Sequence, residues 1–266
     1  MRLVSRERVT DNERGFGKFE PGGGGPQLVG ASDQAHRCNA PRTTAIVNGL
    51  GRPVTGGYVE KALLLGSKGC GNAIVEIALA VAGVPFDYEE VDYSPGSATR
   101  DRLLAVNPLG QVPALVLPDG RVLTESLAIL HYVDDLVPQA GLIPPRGDAR
   151  RPEFYRWAVF LVAAVYPTFT FGDDTSKWVA NEEGARQLRE STNRHRENLW
   201  RQAEAAANGP WFLGEKMTAL DLYIAPMTYW RPGRKWFKAE TPKLFAIAES
   251  AAATPKVAAV LKKHFS

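Results

Sequence analysis

The sequence predicts an α/β half followed by an all-helical half. Three observations carry this. Between residues 61 and 136, short apolar runs alternate with helical periods and end in a hairpin and a helix. Beyond residue 150 only helical periodicity is found. Between them, "VPQAGLIPPRGDAR" is rich in the residues that stop both kinds of element. We place the first domain at 58–137, an inter-domain linker at 138–149 and the second domain at 150–266.

"KALLLG", residues 61–66, reads as a short buried strand. "SKGCGN" follows as a small-residue turn. "AIVEIALAVAG" is apolar nearly all round, as a buried helix is; Gly83 supplies its stop and Pro85 forbids continuation. "FDYEEVDY", residues 86–93, alternates in part and gives a second strand, and "SATRDRLLAV" gives a short helix. "PALVL" and "RVLTE" flank the turn "PDG" and read as a hairpin. "ESLAILHYVDDL" is amphipathic, with Leu127, Leu130 and Val133 on one stripe. A βαβ unit followed by a hairpin and helix implies a mixed four-stranded sheet with helices on its faces.

In the second domain, residues 151–169 form a long helix that Pro167 kinks or ends. Residues 182–208 form a charged helix with a thin apolar stripe at Leu188, Leu199 and Ala203. "TALDLYIAPMTYW" reads as a buried helix. The last two helices both open with Thr-Pro; Thr241 and Thr254 suit the N-cap, and Pro242 and Pro255 the first helical position. His131 and His195 lie far apart in helical patterns and read as ordinary surface or core residues.

Residues 1–57 differ. "EPGGGGPQLVGAS" is a flexible tract without apolar periodicity, and ordering it would cost backbone entropy with little burial in return. We expect a disordered leader. Glu7, Asp11, Glu13 and Glu20 argue against a basic transit peptide; a simpler expectation is a natural start near Val59. The beginning lacks a secretory apolar core, and no apolar run is long enough to cross a bilayer. The net charge of +3 is spread over many residues of both signs, which predicts no nucleic-acid partner. Cys38 and Cys70 make neither a disulfide framework nor a metal site, as suits a reducing cytoplasm.

Pro113 stands inside a strand-like run, where proline removes a ladder donor. "NPLGQVPAL" followed by "TESLAIL" resembles the glutathione-binding segment of cytosolic glutathione transferases, and "GEKMTALDL" resembles the capping motif of their helical domain. The resemblance runs from about residue 61 to the end. It implies a thioredoxin-like first domain, a cis bond before Pro113, and a Val112 main chain that pairs with the glutathione backbone as an added strand would. It implies that Ser126, at a helix N-terminus, takes the γ-glutamyl carboxylate, that Glu125 pairs with the ammonium, and that Gln111 reaches the glycyl end. Thr124 and Glu125 also suit plain helix capping.

The thiol-activating group belongs in "SKGCGN". Many family members have a tyrosine there and this chain has none. Ser67 matches members that activate the thiol through a hydroxyl; Cys70 resembles the cysteine of beta and omega relatives, with a lowered pKa and a mixed-disulfide chemistry. Both stay open, and Asn72 is a third candidate. Thr218 and Asp221 read as a structural capping pair. For the second substrate, a small hydrophobic electrophile, Tyr166, Phe169, Tyr229 and Trp230 suit the walls of an interdomain cleft. Arg231, Arg234 and Lys235 either attract an anionic substrate or form a solvated turn. The resemblance thus implies a glutathione transferase with no metal and no bound cofactor, glutathione serving as co-substrate, and a homodimer. A glutathione-dependent reductase or isomerase, and a non-catalytic binding module, are the alternatives.

Overall fold

Residues 61–266 are described by a computed structural model. The predicted leader, and the start of the first domain, lie outside the described residues. β1 (Ala62–Gly66) is central: it pairs in parallel with β2 (Phe86–Glu90) and antiparallel with β3 (Ala114–Val116), and β4 (Val122–Leu123) closes the order β2-β1-β3-β4. Leu64 and Leu65, on opposite faces, are both fully buried, because α1 (Asn72–Ala82) covers one side and α2 (Ala98–Val106) the other. Gly83 ends α1 at φ 72°, where the Val84 N–H returns to the Leu79 carbonyl. β2 stops three residues before the predicted end, and β3 and β4 are shorter than their sequence runs. After Glu90 only the Val91 N–H still reaches back to the Gly66 carbonyl; Asp92 turns to Thr99 instead.

α3 (Ser126–Leu136) lies on the same face as α1. The predicted linker is anchored: Leu142 and Ile143 are buried, Ile143 N–H donates to Asp134, and the Leu142 carbonyl accepts from Ala219 N–H. α4 (Arg151–Phe160) passes through a π-helical segment, Leu161–Val165, into α5 (Tyr166–Asp173). Pro167 therefore neither ends nor breaks this helix. The looser π segment precedes it, and proline at the start of α5 misses no essential N–H. Taken end to end, Arg151–Asp173 is by length and hydropathy apolar enough for a membrane span, contrary to the reading that no run suffices. Its packing on α6 (Glu182–Ala206) and α7 (Ala219–Met227) makes it a core helix of the fold.

The carboxylate of Asp221 closes the start of α7: Oδ2 accepts from the Thr218 N–H at 2.7 Å, and Oδ1 from the Phe212 N–H at 2.8 Å. α8 (Arg234–Glu240) was not anticipated in "YWRPGRKWF". It has seven residues and buries only Phe237, too little for a visible period. α9 (Pro242–Ala252) and α10 (Pro255–Phe265) begin with proline as expected, but neither threonine caps with its side chain. Thr241 Oγ1 donates back to the Phe237 carbonyl, and the free N–H groups of α9 go to Glu204 of α6 at 3.1 and 3.0 Å. One apolar core runs from the sheet through α1 and α3 into α7, α9 and α10, so both halves share an interior. The described residues belong to one compact unit.

Candidate active site

The loop before β3 builds the first wall. Asn107 donates to the Gln111 carbonyl at 2.8 Å and accepts at its own carbonyl from Gly110 N–H. The Val112–Pro113 bond is cis. Gln111, Val112, Pro113, Glu125 and Ser126 all line one cleft of about 220 Å³, closed on the far side by Val162, Tyr166 and Thr170 of the helical half. All five residues assigned to glutathione by resemblance are thus brought together.

Glu125 is the one non-glycine among the described residues with positive φ, at 62°. It stands at the N-cap of α3 but makes no side-chain cap bond, so its exposed carboxylate faces the cleft uncommitted to the helix. A side chain kept where glycine is favoured points to a functional demand. Ser126 follows at the first helical position, buried, with its hydroxyl 2.8 Å from that of Tyr223. This helix start offers unpaired N–H groups to an anion.

The turn 67–71 is held from several directions. The Ser67 N–H donates to Asn72 Oδ1 at 2.9 Å. The Gly69 N–H donates to His264 Nδ1 at 3.2 Å, and the Trp230 indole N–H donates to the Gly69 carbonyl at 2.7 Å. Because Nδ1 accepts, His264 carries its proton on Nε2 and donates to Glu76, 2.8 Å away. Burial pushes the Glu76 carboxyl up, but hydrogen bonds from His264 and Lys263 outweigh it and hold the group below its usual range.

Beside this turn a second cleft, of about 340 Å³, is lined by Gly69, Cys70, Gly71, Tyr166, Phe169 and Trp230, with the Asp173–Arg231 ion pair at its edge. Tyr166 is the wall shared by both clefts. Its hydroxyl is buried and left without a hydrogen bond; Ser126 lies close enough to weigh on its ionisation, but the Ser126 hydroxyl is engaged by Tyr223.

Several expectations change here. Cys70 lines the cleft, but burial pushes its thiol up, only partly opposed by a hydrogen bond from Ser67, so it is not the low-pKa thiol expected at a helix start. Ser67 lines neither cleft. Asn72 is fully buried behind the turn, where it packs on Gly66 and holds Ser67. Tyr229 leaves the cleft altogether: the turn after α7 sends it the opposite way from Trp230, and it stacks on Phe265 at 4.6 Å. Arg234 is taken up by Thr228 and Glu249, so of the three basic residues only Arg231 reaches the cleft. Tyr93 was missed. It follows β2, is 44 % exposed, and its hydroxyl reaches the Val112 main chain near Cys70. No local pattern marks it.

Comparison with known proteins agrees with this geometry. The glutathione S-transferase N-terminal domain family matches residues 73–136, and the C-terminal domain family residues 168–264. An uncharacterised GST-like protein of Escherichia coli K12, YncG, is 37 % identical over 202 residues, covering 75 % of this chain and 96 % of that one. The chain belongs to the glutathione S-transferase family. Glutathione S-transferase GstA of Escherichia coli O157:H7 is 31 % identical over 58 % of this chain and 74 % of its own. The fold is also that of a glutathione transferase homologue from Sulfitobacter solved with bound glutathione: TM-score 0.70, 27 % identity, 76 % of this chain and 98 % of that one.

Proposed function

We propose that the protein is a glutathione transferase that binds glutathione in the Val112–Ser126 cleft and directs its sulfur into the adjoining aromatic cleft. The observation that carries this is the meeting of two clefts at one wall, Tyr166, beside the start of α1. The Val112 main chain pairs with the cysteinyl backbone. The γ-glutamyl carboxylate sits on the α3 start and Ser126, its ammonium on Glu125, and the glycyl end toward Gln111. The sulfur then lies over the α1 N-terminus, whose partial positive charge favours thiolate. The thiol proton leaves to solvent. The sulfur lone pair forms a carbon–sulfur bond, and the leaving group departs with its bonding pair; on an activated double bond the pair moves to the neighbouring atom, which takes a proton from water.

Phe169, Trp230 and the Tyr166 ring suit a small hydrophobic electrophile. A homodimer is the assembly that the family resemblance implies, and light scattering tests it. A cytoplasmic location accords with Cys70 standing as a free thiol. The test of the main reading is glutathione binding by calorimetry beside turnover of chlorodinitrobenzene. A protein that ignores millimolar glutathione sinks it; binding without any conjugation points to the non-catalytic module. The reductase or isomerase reading draws on Cys70 at the cleft wall, and hydroxyethyl-disulfide reduction lost in Cys70→Ser would favour it.

A further inference from the structure

We infer that the hydroxyl of Tyr166, supplied by the helical half, is the hydrogen-bond donor that holds the glutathione sulfur as thiolate. This rests on the glutathione reading above and deepens it, naming the group that the turn 67–71 fails to provide.

The turn's own candidates are poorly placed. Ser67 lines neither cleft, and Asn72 is buried behind the turn with its oxygen on the Ser67 N–H. Tyr166 has the opposite condition. Its oxygen is buried without a partner, a costly state that proteins keep where something else completes the bond. The oxygen points at the start of α1: a Cβ placed on Gly71 would lie 3.1 Å from it. Glycine at this position lets the hydroxyl pack close to the helix start; Tyr166 and Gly71 line the aromatic cleft together, and Tyr166 also lines the other cleft.

The hydroxyl is also rigidly aimed. The Tyr166 ring meets Trp230, Tyr223 and Phe169 edge-on, at 5.7, 6.4 and 6.5 Å between centroids. Two residues on, Thr168 is clamped by Arg196, whose Nε and Nη2 donate to the threonine hydroxyl and carbonyl. The π segment ends at Val165, immediately before Tyr166; such single-turn widenings recur at functional sites. The titratable groups around it are Cys70 on the turn, Tyr223 on α7, Glu125 at the end of the hairpin and the Asp173–Arg231 pair at the cleft edge. Burial, with Tyr223 and Cys70 adding to it, holds the Tyr166 proton on its oxygen well above the usual tyrosine range, so the group stays a donor.

The test is Tyr166→Phe in the full chain, which removes one unbonded oxygen from a packed site and should leave the melting temperature unchanged. Glutathione affinity is measured by calorimetry, and the bound thiol is titrated by the ultraviolet absorbance of its thiolate. The expected result is near-normal glutathione binding, with a thiol that titrates about 1–2 pH higher. The kcat/KM at neutral pH should fall about 10- to 100-fold and recover in alkali. Gly71→Ala supplies an independent variant. Gly71 has φ −61°, which alanine tolerates, and the added methyl crowds the hydroxyl, so it should shift the thiol the same way. Normal binding with an unshifted thiol in Tyr166→Phe overturns the inference alone. So does a shift found in Ser67→Ala or Tyr93→Phe in its place. Absence of glutathione binding in the unaltered protein overturns the transferase reading, and the inference with it.

Discussion

Asp221→Ala removes a side chain that is 0 % exposed and joins three parts of the helical half. Its two oxygens accept from the Phe212 N–H, the Thr218 N–H and the Thr218 hydroxyl at 2.8, 2.7 and 3.2 Å. Alanine leaves two buried main-chain donors without an acceptor, each worth about 1–3 kcal/mol. Relief from burying a carboxylate offsets part of this. We expect a net loss of about 2–4 kcal/mol, which for a unit of this size lowers the melting temperature by roughly 4–16 °C, with glutathione affinity unchanged. The same residue gives stability a pH signature. Burial, opposed by the Phe212 and Thr218 bonds, pushes its carboxyl from 3.8 to about 6. The folded state then holds a proton that the unfolded chain has released between these values. Stability from this group is full below the lower value and falls by roughly 3 kcal/mol as pH rises through the higher one. Thermal melts of both proteins from pH 4 to 7 measure it. A midpoint within about 1 °C of the unaltered protein throughout that range would refute the reasoning.

Ser126→Ala removes a hydroxyl that, while accepting from Tyr223, can donate to the γ-glutamyl carboxylate we place there; calorimetry should show glutathione binding weakened about 10- to 100-fold. Gly66→Ala places a Cβ 2.5 Å from Asn72 Nδ2 and 2.7 Å from Tyr88 Cε2, beneath the turn, and should cost about 1–3 kcal/mol or more, read by denaturant unfolding. His264→Ala deprives the Gly69 N–H of its acceptor and Glu76 of a donor. A midpoint several degrees lower, with slower conjugation, is expected; unchanged values in both would deny the clamp any role.

What the sequence made legible was what it encodes locally. The wall we assign to glutathione lies within twenty consecutive residues, Asn107 to Ser126, whose proline, glycine and helix-start chemistry can be read in order. The strands and buried helices follow from apolar periods over contiguous runs. Whatever is assembled across long loops was hidden. Glu204 caps a helix some forty residues on, Trp230 bonds the Gly69 carbonyl across 161 residues, and Tyr166 meets Gly71 only because the halves pack. Tyr229 and Trp230 look alike as neighbours in sequence; a turn that no periodicity describes sends one into the cleft and the other onto Phe265.

The grip of α10 on the Gly69 N–H, bridging 195 residues of chain, sets a rule for anyone cutting or recombining this protein. A sheet half expressed by itself, or grafted to the helices of a cousin with no imidazole at this register, would still own the strand proposed to dock the tripeptide. It would forfeit the scaffold under the turn where we place the sulfur. Hybrids joined at the linker should therefore capture glutathione better than they use it.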